Sequence, residues 1–555
     1  MTTTKSVRWW PAVAIVLLWL LALGLETFTG DRSGQEHIMA RLALSLVAGF
    51  LLFLWFLFFS RLPWRRRLLG LAGLGGIGVL LAFLVEIRGV SGDLLPVLGW
   101  RWTPKPGAVA PASVPPPVVA PTPAAAANPV PQPAPVTAPE TPAVPASEPI
   151  PEPAVVAAPA PAEPTRETLP GATDWPQFLG PRRDGSVPGV ALAREWTTRA
   201  PRELWRRPIG AGWAGFAVVS GRIFTLEQDG GEEVVSAADL ATGKPLWRHA
   251  DAARYESTIG GVGPRSVPAV MDGRVFALGA TGRLRALDAE TGRLLWLRDL
   301  LADGGGANPE WGRSVSPLVV DGRVVVGAGG ADGHSVFAYD AATGDLRWHG
   351  GDDGPSFSSP IVAELAGVRQ VVNFNAGSLT GHDLADGRVL WRFPWPGGQP
   401  NVSTPLVLGT DRLFASSGYG IGGKLLEFTV GTEGSLEPRL VWESPRLKAK
   451  FTNVVHHDGR LYGLDDGTLV CLDPTTGERC WKEGRYGHGQ VILAGDLLLV
   501  LAEDGELVLV DPVPDGLKVL GTYPLFAGKT WNPPALTGRY LLARTDQEAV
   551  LLELP

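Results

Sequence analysis

The motif Asp-x3-Gly-x3-Trp occurs five times between residues 239 and 481, and it limits the fold of this 555-residue chain more than any other feature. The Asp side chain can accept hydrogen bonds from turn amides and the Gly permits positive φ, so each copy predicts a β-hairpin turn. The Trp provides a large apolar surface for packing between neighbouring sheets. Successive copies lie 43 to 52 residues apart, with one double step, which indicates a repeated unit. The copies are Asp239, Gly243 and Trp247; Asp288, Gly292 and Trp296; Asp340, Gly344 and Trp348; Asp383, Gly387 and Trp391; and Asp473, Gly477 and Trp481.

Weaker copies raise the number of units to eight. Trp205 and Trp442 occupy the expected positions without the full turn motif, Trp442 fills the double step, and Asp511 begins a last degenerate hairpin. Eight four-stranded units predict an all-β fold, an eight-bladed β-propeller over residues 171–555. The strand at 548–554 is expected to complete the blade that begins near Trp205 and so close the ring, whereas an open β-solenoid would need no such strand.

A second signature, a Gly-Arg-like turn within a strand-rich segment, gives the same count of eight. Five copies are clear and three are looser. The clear copies are Gly221-Arg222, Gly273-Arg274, Gly322-Arg323, Gly459-Arg460 and Gly538-Arg539, and the looser ones lie at Gly367 to Arg369, Gly409 to Arg412 and Gly495-Asp496.

The pattern Ala-x-Asp-x-x-Thr-Gly-x-x-x-Trp resembles the repeats of the pyrroloquinoline quinone (PQQ) propeller family. That family contains quinoprotein alcohol and glucose dehydrogenases and also BamB, a non-enzymatic subunit of the β-barrel assembly machinery. The resemblance covers about 385 residues, and residues 174–180 with Asp184-Gly185 resemble the segment that enters such propellers. Gly92-Asp93 and the sequence Trp100-Arg101-Trp102 resemble the leader of membrane-attached members. The resemblance implies an architecture, because one fold can carry many chemistries.

Residues 1–103 are predicted to be a membrane region with three transmembrane helices, at about 9–25, 42–59 and 68–85. Each stretch has 17 or 18 residues without a charge, which is just enough to cross a hydrocarbon layer of about 30 Å as a helix. A cleavable signal peptide is the alternative for the first stretch, but two further spans follow and no small-residue cleavage site precedes them.

The charges between the spans predict the orientation. Lys5 and Arg8 precede the first span, and Arg61 with the Arg run at 65–67 fills the short connection between the second and third. The positive-inside rule places these segments in the cytoplasm. Three crossings then place the propeller on the far side of the inner membrane, which is the periplasm of a Gram-negative cell.

Residues 104–170 are predicted to be a disordered Pro/Ala-rich linker, since 22 of these 67 residues are proline. Such a chain favours solvated polyproline II and can reach about 200 Å when extended. A passive tether is the simplest interpretation, and a Pro-rich ligand for another domain is the alternative. The net charge of −7 argues against a nucleic-acid partner.

Alignment of the copies on the Gly-Arg turn places short polar sets just before each innermost strand. We therefore expect hydroxyl and amide groups to surround one end of the central channel, where basic and aromatic side chains would suit a planar carboxylated ligand. Small polar residues that only hydrate a narrow funnel are the alternative. The candidate residues at the channel mouth are Arg265, Trp311, Arg313, Ser358, Ser403, Asn453, His488, Trp531 and Asn532.

The resemblance to quinoproteins implies PQQ with calcium as a cofactor, together with an Asp base. No adjacent cysteine pair and no Cys-x-x-Cys-His haem motif occurs in the sequence, and no spacing singles out a base. We therefore expect no catalytic residue, no bound cofactor and no metal site. His456 and His457 do not change this, because neighbouring strand residues point to opposite faces.

The only two cysteines, Cys471 and Cys480, flank a predicted hairpin turn in the seventh blade. Counting outward from the turn at 474–477 pairs them across the two strands, so we expect a disulfide in an oxidising compartment. Two reduced thiols are the alternative.

These features together predict a membrane-anchored periplasmic propeller that binds a protein partner in the cell envelope or acts as a scaffold, with a role in envelope protein assembly by analogy with BamB. The alternative is a PQQ-dependent alcohol or sugar dehydrogenase. A sensor that binds a small ligand in the funnel is a third hypothesis.

Overall fold

A computed structural model describes residues 7–27, 34–93, 96–102, 169–304, 306–431 and 435–555. Apart from its last two residues, the predicted linker at 104–170 lies outside the described residues.

Three apolar helices form the N-terminal region: α1 (Trp10–Thr27), α2 (Gly34–Leu54), which continues into a π-helical turn at Trp55–Phe59, and α3 (Trp64–Leu84). Two segments, Ile38–Phe59 and Trp64–Leu84, are long and apolar enough to cross a membrane, and α1 is apolar but shorter. The helices lie where the three spans are predicted.

A short antiparallel hairpin follows α3 without a break. Its strands are β1 (Val85–Val90) and β2 (Pro96–Trp100), and Val85 pairs with Trp100 at its base. The chain therefore leaves α3 and turns back after only a few residues.

The rest of the described chain is an eight-bladed propeller, in which each blade is a four-stranded antiparallel sheet and blade 8 has one added strand. We number the blades so that blade 1 contains Trp205. Blade 1 consists of β35 (Ala535–Thr537), β36 (Tyr540–Arg544), β37 (Glu548–Glu553) and β4 (Arg202–Pro208); blade 2 of β5 (Ala217–Val219), β6 (Arg222–Asp229), β7 (Glu232–Asp239) and β8 (Pro245–Ala252); blade 3 of β11 (Ala269–Met271), β12 (Arg274–Leu278), β13 (Arg283–Asp288) and β14 (Leu294–Asp299); and blade 4 of β15 (Leu318–Val320), β16 (Arg323–Gly327), β17 (Val336–Asp340) and β18 (Leu346–Gly350).

The second half of the ring follows the same order, and two short strands lie between blades 2 and 3. Blade 5 consists of β19 (Ile361–Leu365), β20 (Val368–Phe374), β21 (Ser378–Asp383) and β22 (Val389–Pro394); blade 6 of β23 (Leu406–Leu408), β24 (Arg412–Ser417), β25 (Gly422–Val430) and β26 (Leu436–Ser444); blade 7 of β27 (Val455–His457), β28 (Arg460–Asp465), β29 (Thr468–Leu472) and β30 (Arg479–Arg485); blade 8 of β31 (Gln490–Ala494), β32 (Leu497–Leu501), β33 (Glu506–Asp511) and β34 (Lys518–Pro524) with the added β3 (Ser186–Val187); and the short pair is β9 (Glu256–Ser257) and β10 (Gly261–Val262).

The two ends of the propeller sequence meet in blade 1. β4 is the outermost strand of a sheet whose other three strands come from the C-terminus, and Trp205 pairs with Leu551. This confirms the predicted closure, in which the C-terminal strand completes the blade that begins near Trp205. Because the ring is closed, every blade has a neighbouring blade on both sides.

The repeated motif joins each blade to the next one. In blade 2 the Asp239 carboxylate accepts hydrogen bonds from the amide and hydroxyl of Thr242, and Gly243 has φ +68°. The backbone of Gly243 packs against the Trp ring of the preceding blade: a Cβ at Gly243 would be 2.8 Å from the ring of Trp205. The same approach recurs at Gly292, Gly344, Gly387 and Gly477, against Trp247, Trp296, Trp348 and Trp442.

The Trp ring also forms a hydrogen bond to the turn that it covers. The indole Nε1 of Trp205 donates to the carbonyl of Leu240 at 2.8 Å, and that of Trp247 donates to the carbonyl of Ala289 at 3.1 Å. Trp391 is different: it donates to Gln370 in its own blade at 2.5 Å, because blade 6, which follows it, has no Asp-Gly turn.

The apolar core lies between the faces of adjacent blades. In four blades the motif Trp packs against an aromatic side chain of its own sheet, with ring centroids 5.9 to 6.1 Å apart. Such tilted pairs stabilise the fold beyond the effect of the surface area that the rings bury. The pairs are Phe224 with Trp247, Phe276 with Trp296, Phe414 with Trp442, and Tyr462 with Trp481.

The predicted cross-strand register of the two cysteines is wrong by one residue. Cys471 pairs with Trp481 rather than with Cys480, because a β-bulge in β30 inserts one extra residue at this point. Both side chains are thiols, Cys471 buried and Cys480 exposed. Burial and the neighbouring Cys480 raise the pKa of Cys471 to about 12. The predicted disulfide therefore stays a prediction about the oxidised protein.

We expect Gly292→Ala to destabilise the propeller by about 1–3 kcal/mol more than Gly273→Ala. Both glycines have similar positive φ, +73° and +70°, so both substitutions cost about the same backbone strain of 1–2 kcal/mol. A Cβ at Gly292 would lie 2.5 Å from the ring of Trp247, whereas one at Gly273 would meet nothing within 4 Å. Thermal unfolding followed by circular dichroism measures the difference, and equal midpoints would contradict the packing role of the glycine.

We expect protein isolated from an oxidising compartment to contain a Cys471–Cys480 disulfide, because Cys480 is the bulge residue next to Trp481, the cross-strand partner of Cys471. Intact-mass spectrometry after alkylation should show no adduct before reduction and two after it. Two adducts without prior reduction would contradict the disulfide, and a Cys480→Ser variant, which must take one adduct, calibrates the assay.

Candidate functional site

A cavity of about 500 Å³ lies on the axis of the propeller, and we call it the funnel. Its volume is within the range of small-molecule sites in proteins. Most of its wall is apolar, and aromatic rings dominate it. The aromatic residues of the wall are Phe178, Trp213, Trp311, Phe357, Tyr419, Phe451 and Trp531.

The lining follows from strand alternation just before each innermost strand. The sequence alignment places a pair of residues just before each innermost strand, for example Ser358-Ser359 in blade 5. In six blades the residue immediately before this pair lines the funnel, and the first residue of the pair does not. The sequence alignment selected the polar pairs and so missed most of the wall, although a one-residue shift identifies it. These preceding residues are Trp213, Arg265, Ser314, Phe357, Val402 and Phe451.

Four of the nine predicted mouth residues line the funnel: Arg265, Trp311, Asn453 and Trp531. The Arg265 guanidinium donates to the carbonyls of Gly260 and Gly263 at 2.8 Å, so the loop before blade 3 holds it in place. Burial lowers the pKa of Arg265 to about 10, and it remains a cation at neutral pH.

Three others, Ser358, Ser403 and Asn532, form part of a buried polar belt that joins neighbouring blades. Ser358 donates to the carbonyl of Ser403 at 2.9 Å, which links blades 5 and 6. Asn532 donates to the carbonyl of Ala214 at 2.7 Å, which links blades 1 and 2. The belt satisfies backbone groups that would otherwise be buried without partners.

Asn453 belongs to the same belt as well as to the funnel wall, since its side-chain oxygen accepts from the amide of Thr404 at 2.8 Å. Arg313 is buried beneath the wall and donates to the backbone carbonyl of Ala328. Burial lowers the pKa of Arg313 to about 10. These contacts give the predicted polar ring a structural role.

The entry segment, residues 174–187, closes one end of the funnel. Trp175 pairs with Val218 of blade 2, and β3 of the same segment pairs with β31 of blade 8, so the segment crosses the axis. Arg183 is buried and donates to the carbonyls of Ser316 and Pro317 at 3.1 and 2.9 Å. Within the described blades the funnel therefore opens toward the opposite end, which we call the mouth.

Cationic side chains concentrate at the mouth. Lys529 lies over the ring of Trp531, with its ammonium 3.7 Å from the ring centroid. Lys450 is almost fully buried beside Tyr419 and Phe451, with its ammonium 4.8 and 5.3 Å from the two centroids. Burial lowers the pKa of both lysines, because it disfavours the charged form.

His488 and Glu503 form the rim of the mouth in blade 8. The Glu503 carboxylate accepts from the backbone amide of His488 at 2.9 Å and from the indole of Trp531 at 3.0 Å. His488 itself is buried, and its Nε2 lies 3.0 Å from a carboxylate oxygen of Asp93 in the N-terminal hairpin.

The residues of the funnel suit a planar anion better than they suit a calcium ion. Arg265, Lys450 and Lys529 would pair with carboxylates, and Trp213 and Trp531, whose centroids are 5.0 Å apart, would contact a ring. Calcium takes six to eight oxygen ligands. Within the described part of the chain, no group of three or more His, Cys, Asp or Glu residues is placed to hold a metal ion. The calcium part of a quinoprotein centre therefore has no matching shell among these residues.

Comparison with known proteins relates the chain to two groups. Residues 231–483 match the family described as outer membrane protein assembly factor BamB. The BamB protein of Bordetella pertussis is 25% identical over 388 residues, which covers 64% of this chain and 89% of that protein. The quinohemoprotein alcohol dehydrogenase ADH-IIG of Pseudomonas putida is 34% identical over 172 residues, which covers 30% of this chain and only 22% of that protein.

A solved structure shows the same fold. The europium-containing methanol dehydrogenase superposes with a TM-score of 0.51 at 15% sequence identity, covering 67% of this chain and 90% of that one. The five turn motifs, the eight blades and these similarities agree: the chain is a β-propeller with PQQ-like repeats, similar in sequence to BamB and, over a shorter stretch, to a quinohemoprotein alcohol dehydrogenase.

Proposed function

We propose that this protein is a membrane-anchored periplasmic propeller that binds a protein partner and supports the assembly of outer-membrane proteins. The observation that carries the proposal is the extent of the similarity to BamB. It spans 89% of the Bordetella protein, whereas the similarity to the Pseudomonas alcohol dehydrogenase spans 22% of that enzyme. A shared whole propeller is better support for a shared role than a shared group of repeats.

The outer edge of the ring supports a protein-binding role. Among the described residues, no strand lies beyond the last strand of each blade in its sheet, so the backbone of that strand can pair with an extended peptide. Several of these strands carry an exposed apolar residue two positions before the motif Trp or its equivalent. These residues form the edge row: Leu294, Leu346, Val389, Leu440 and Val519. Unpaired strand edges with exposed apolar residues suit the strands of an unassembled β-barrel.

The helices and their charges support the anchor. The Arg-rich connection before α3 belongs on the cytoplasmic side, and the hairpin after α3 then lies outside the inner membrane. A protein partner would meet the propeller in the periplasm at a distance that the Pro/Ala-rich segment sets.

We expect loss of the protein to lower the fraction of folded outer-membrane barrels, and the triple variant Leu294→Lys, Leu346→Lys, Leu440→Lys to restore less of that fraction than the wild type does. The added charges oppose apolar strand pairing without disturbing the core. Heat-modifiable mobility of the barrels on gels measures the folded fraction.

Val430→Lys is the matched control, because Val430 is exposed but lies on β25, which is paired on both sides. It should restore assembly fully. Unchanged barrel assembly in cells that lack the protein would contradict the proposed function.

A PQQ-dependent dehydrogenase is the second candidate, and the aromatic wall with its cations favours it. Titration of the purified full chain with PQQ and calcium, followed by quinone absorbance and dye-linked oxidation of alcohols or sugars, tests it. On the proposed function we expect no oxidation above that of a Lys450→Met, Arg265→Met control. Saturable PQQ binding with turnover that the control loses would establish the enzyme instead.

A further inference from the structure

The hairpin that follows α3 reaches the mouth of the propeller. Its tip, which we define as Ser91, Gly92 and Asp93, contacts the rim, and both Ser91 and Gly92 line the funnel. The rim site consists of Lys450, Arg485, His488 and Glu503, from blades 7 and 8 and the connections that precede them.

The backbone of Gly92 is held from both sides. Its amide donates to a carboxylate oxygen of Glu503 at 2.6 Å, and its carbonyl accepts from the Lys450 ammonium at 2.7 Å. With the His488 ring in place only glycine fits here, because a Cβ at Gly92 would lie 2.1 Å from Cδ2 of His488. The rim site therefore accepts a turn with glycine at this position and excludes a turn with any other residue there.

The carboxylate of Asp93 brings a negative charge to the rim site. It accepts from Arg485 and lies 3.0 Å from Nε2 of His488, and Asp93 is itself buried. Burial alone would raise the pKa of Asp93, but the hydrogen bond and charge of His488, with the charges of Arg485 and Lys450, lower it below its ordinary value. The carboxylate is therefore ionised at neutral pH.

We propose that the rim site is a receptor for a Gly-Asp turn, and that the chain's own tip occupies it, so that the propeller docks on its membrane anchor with the funnel mouth covered. Backbone, shape and charge contacts converge on two consecutive residues, Gly92 and Asp93, which is the pattern of a specific peptide site. The docking is a second attachment besides the Pro/Ala-rich segment, and a partner that carries a Gly-Asp turn would compete for it. The proposal rests on the proposed membrane anchor.

Disulfide trapping in the full chain tests the docking. The Cβ at Gly92 would lie 3.0 Å from the Cβ of His488, close to the 3.5–4.5 Å that a disulfide needs. With Cys471→Ser and Cys480→Ser in the background, Gly92→Cys, His488→Cys should form an intramolecular disulfide, seen as a mobility shift that reductant removes. The control, Gly92→Cys, His488→Ala, Asp504→Cys, also lacks the His488 ring but carries its second thiol at another position of the rim, and it should form the disulfide at least about tenfold more slowly. Equal rates would overturn the proposal.

A second measurement uses the wild-type tip. A protease site inserted between residues 104 and 170 allows the propeller to be cut from the helices in isolated membranes. We expect the cut propeller to stay with the membrane at low salt and to leave it at about 1 M salt, where charges are screened. Asp93→Arg should release about tenfold more propeller at low salt, and Arg485→Asp in the same chain should restore retention in part.

Asp504→Arg is the matched control, because Asp504 is exposed next to Glu503 and, among the described residues, forms no hydrogen bond or ion pair with the tip. It should leave retention unchanged. Retention that is the same in wild type and Asp93→Arg would overturn the docking. Full chain found in the soluble fraction before cleavage would count against the anchor instead, and disulfide trapping would then still report on the rim site.

Discussion

The contact between a Trp ring and the turn glycine of the next blade holds this propeller together. At five junctions between blades the indole covers a turn glycine with positive φ, and its N–H donates to a carbonyl of that turn. The contact combines apolar burial, a hydrogen bond and a backbone conformation that favours glycine. Because the contact joins one blade to the following blade at five of the eight junctions, its repetition holds neighbouring blades together around most of the ring.

Closure in turn creates the funnel. The innermost strands converge on the axis, and the polar belt of residues such as Ser358 and Asn532 joins them there. Side chains one position earlier then point into the space that remains, and many of them are aromatic. The entry segment fills the far end with Arg183, which bonds to backbone carbonyls that lack a strand partner. Within the described blades, the central cavity is therefore closed at the end that the entry segment fills and opens toward the mouth.

The fold could be predicted because its determinants are local and repeated. Asp239, Gly243 and Trp247 lie within nine residues, and turn chemistry gives each a fixed role. The site was harder to predict. The alignment found the correct position along each blade but selected Ser403 rather than the neighbouring Val402, because polar residues were expected to face a ligand. The bulge in β30 shifted Cys471 from Cys480 to Trp481, and an extra residue of this kind cannot be located by counting from the turn.

The contact between Asp93 and the rim joins residues almost 400 positions apart in the sequence, and no local sequence pattern predicts it. A covalent connection makes such a contact effective even when its intrinsic affinity is modest, since it holds the two sides at up to a millimolar effective concentration. A long linker lowers that concentration, so the docked and free states are closer in free energy than they would be with a short one. The Pro/Ala-rich segment therefore does more than set reach: with the tip and the rim site, its length determines how easily a competing Gly-Asp turn can uncover the funnel.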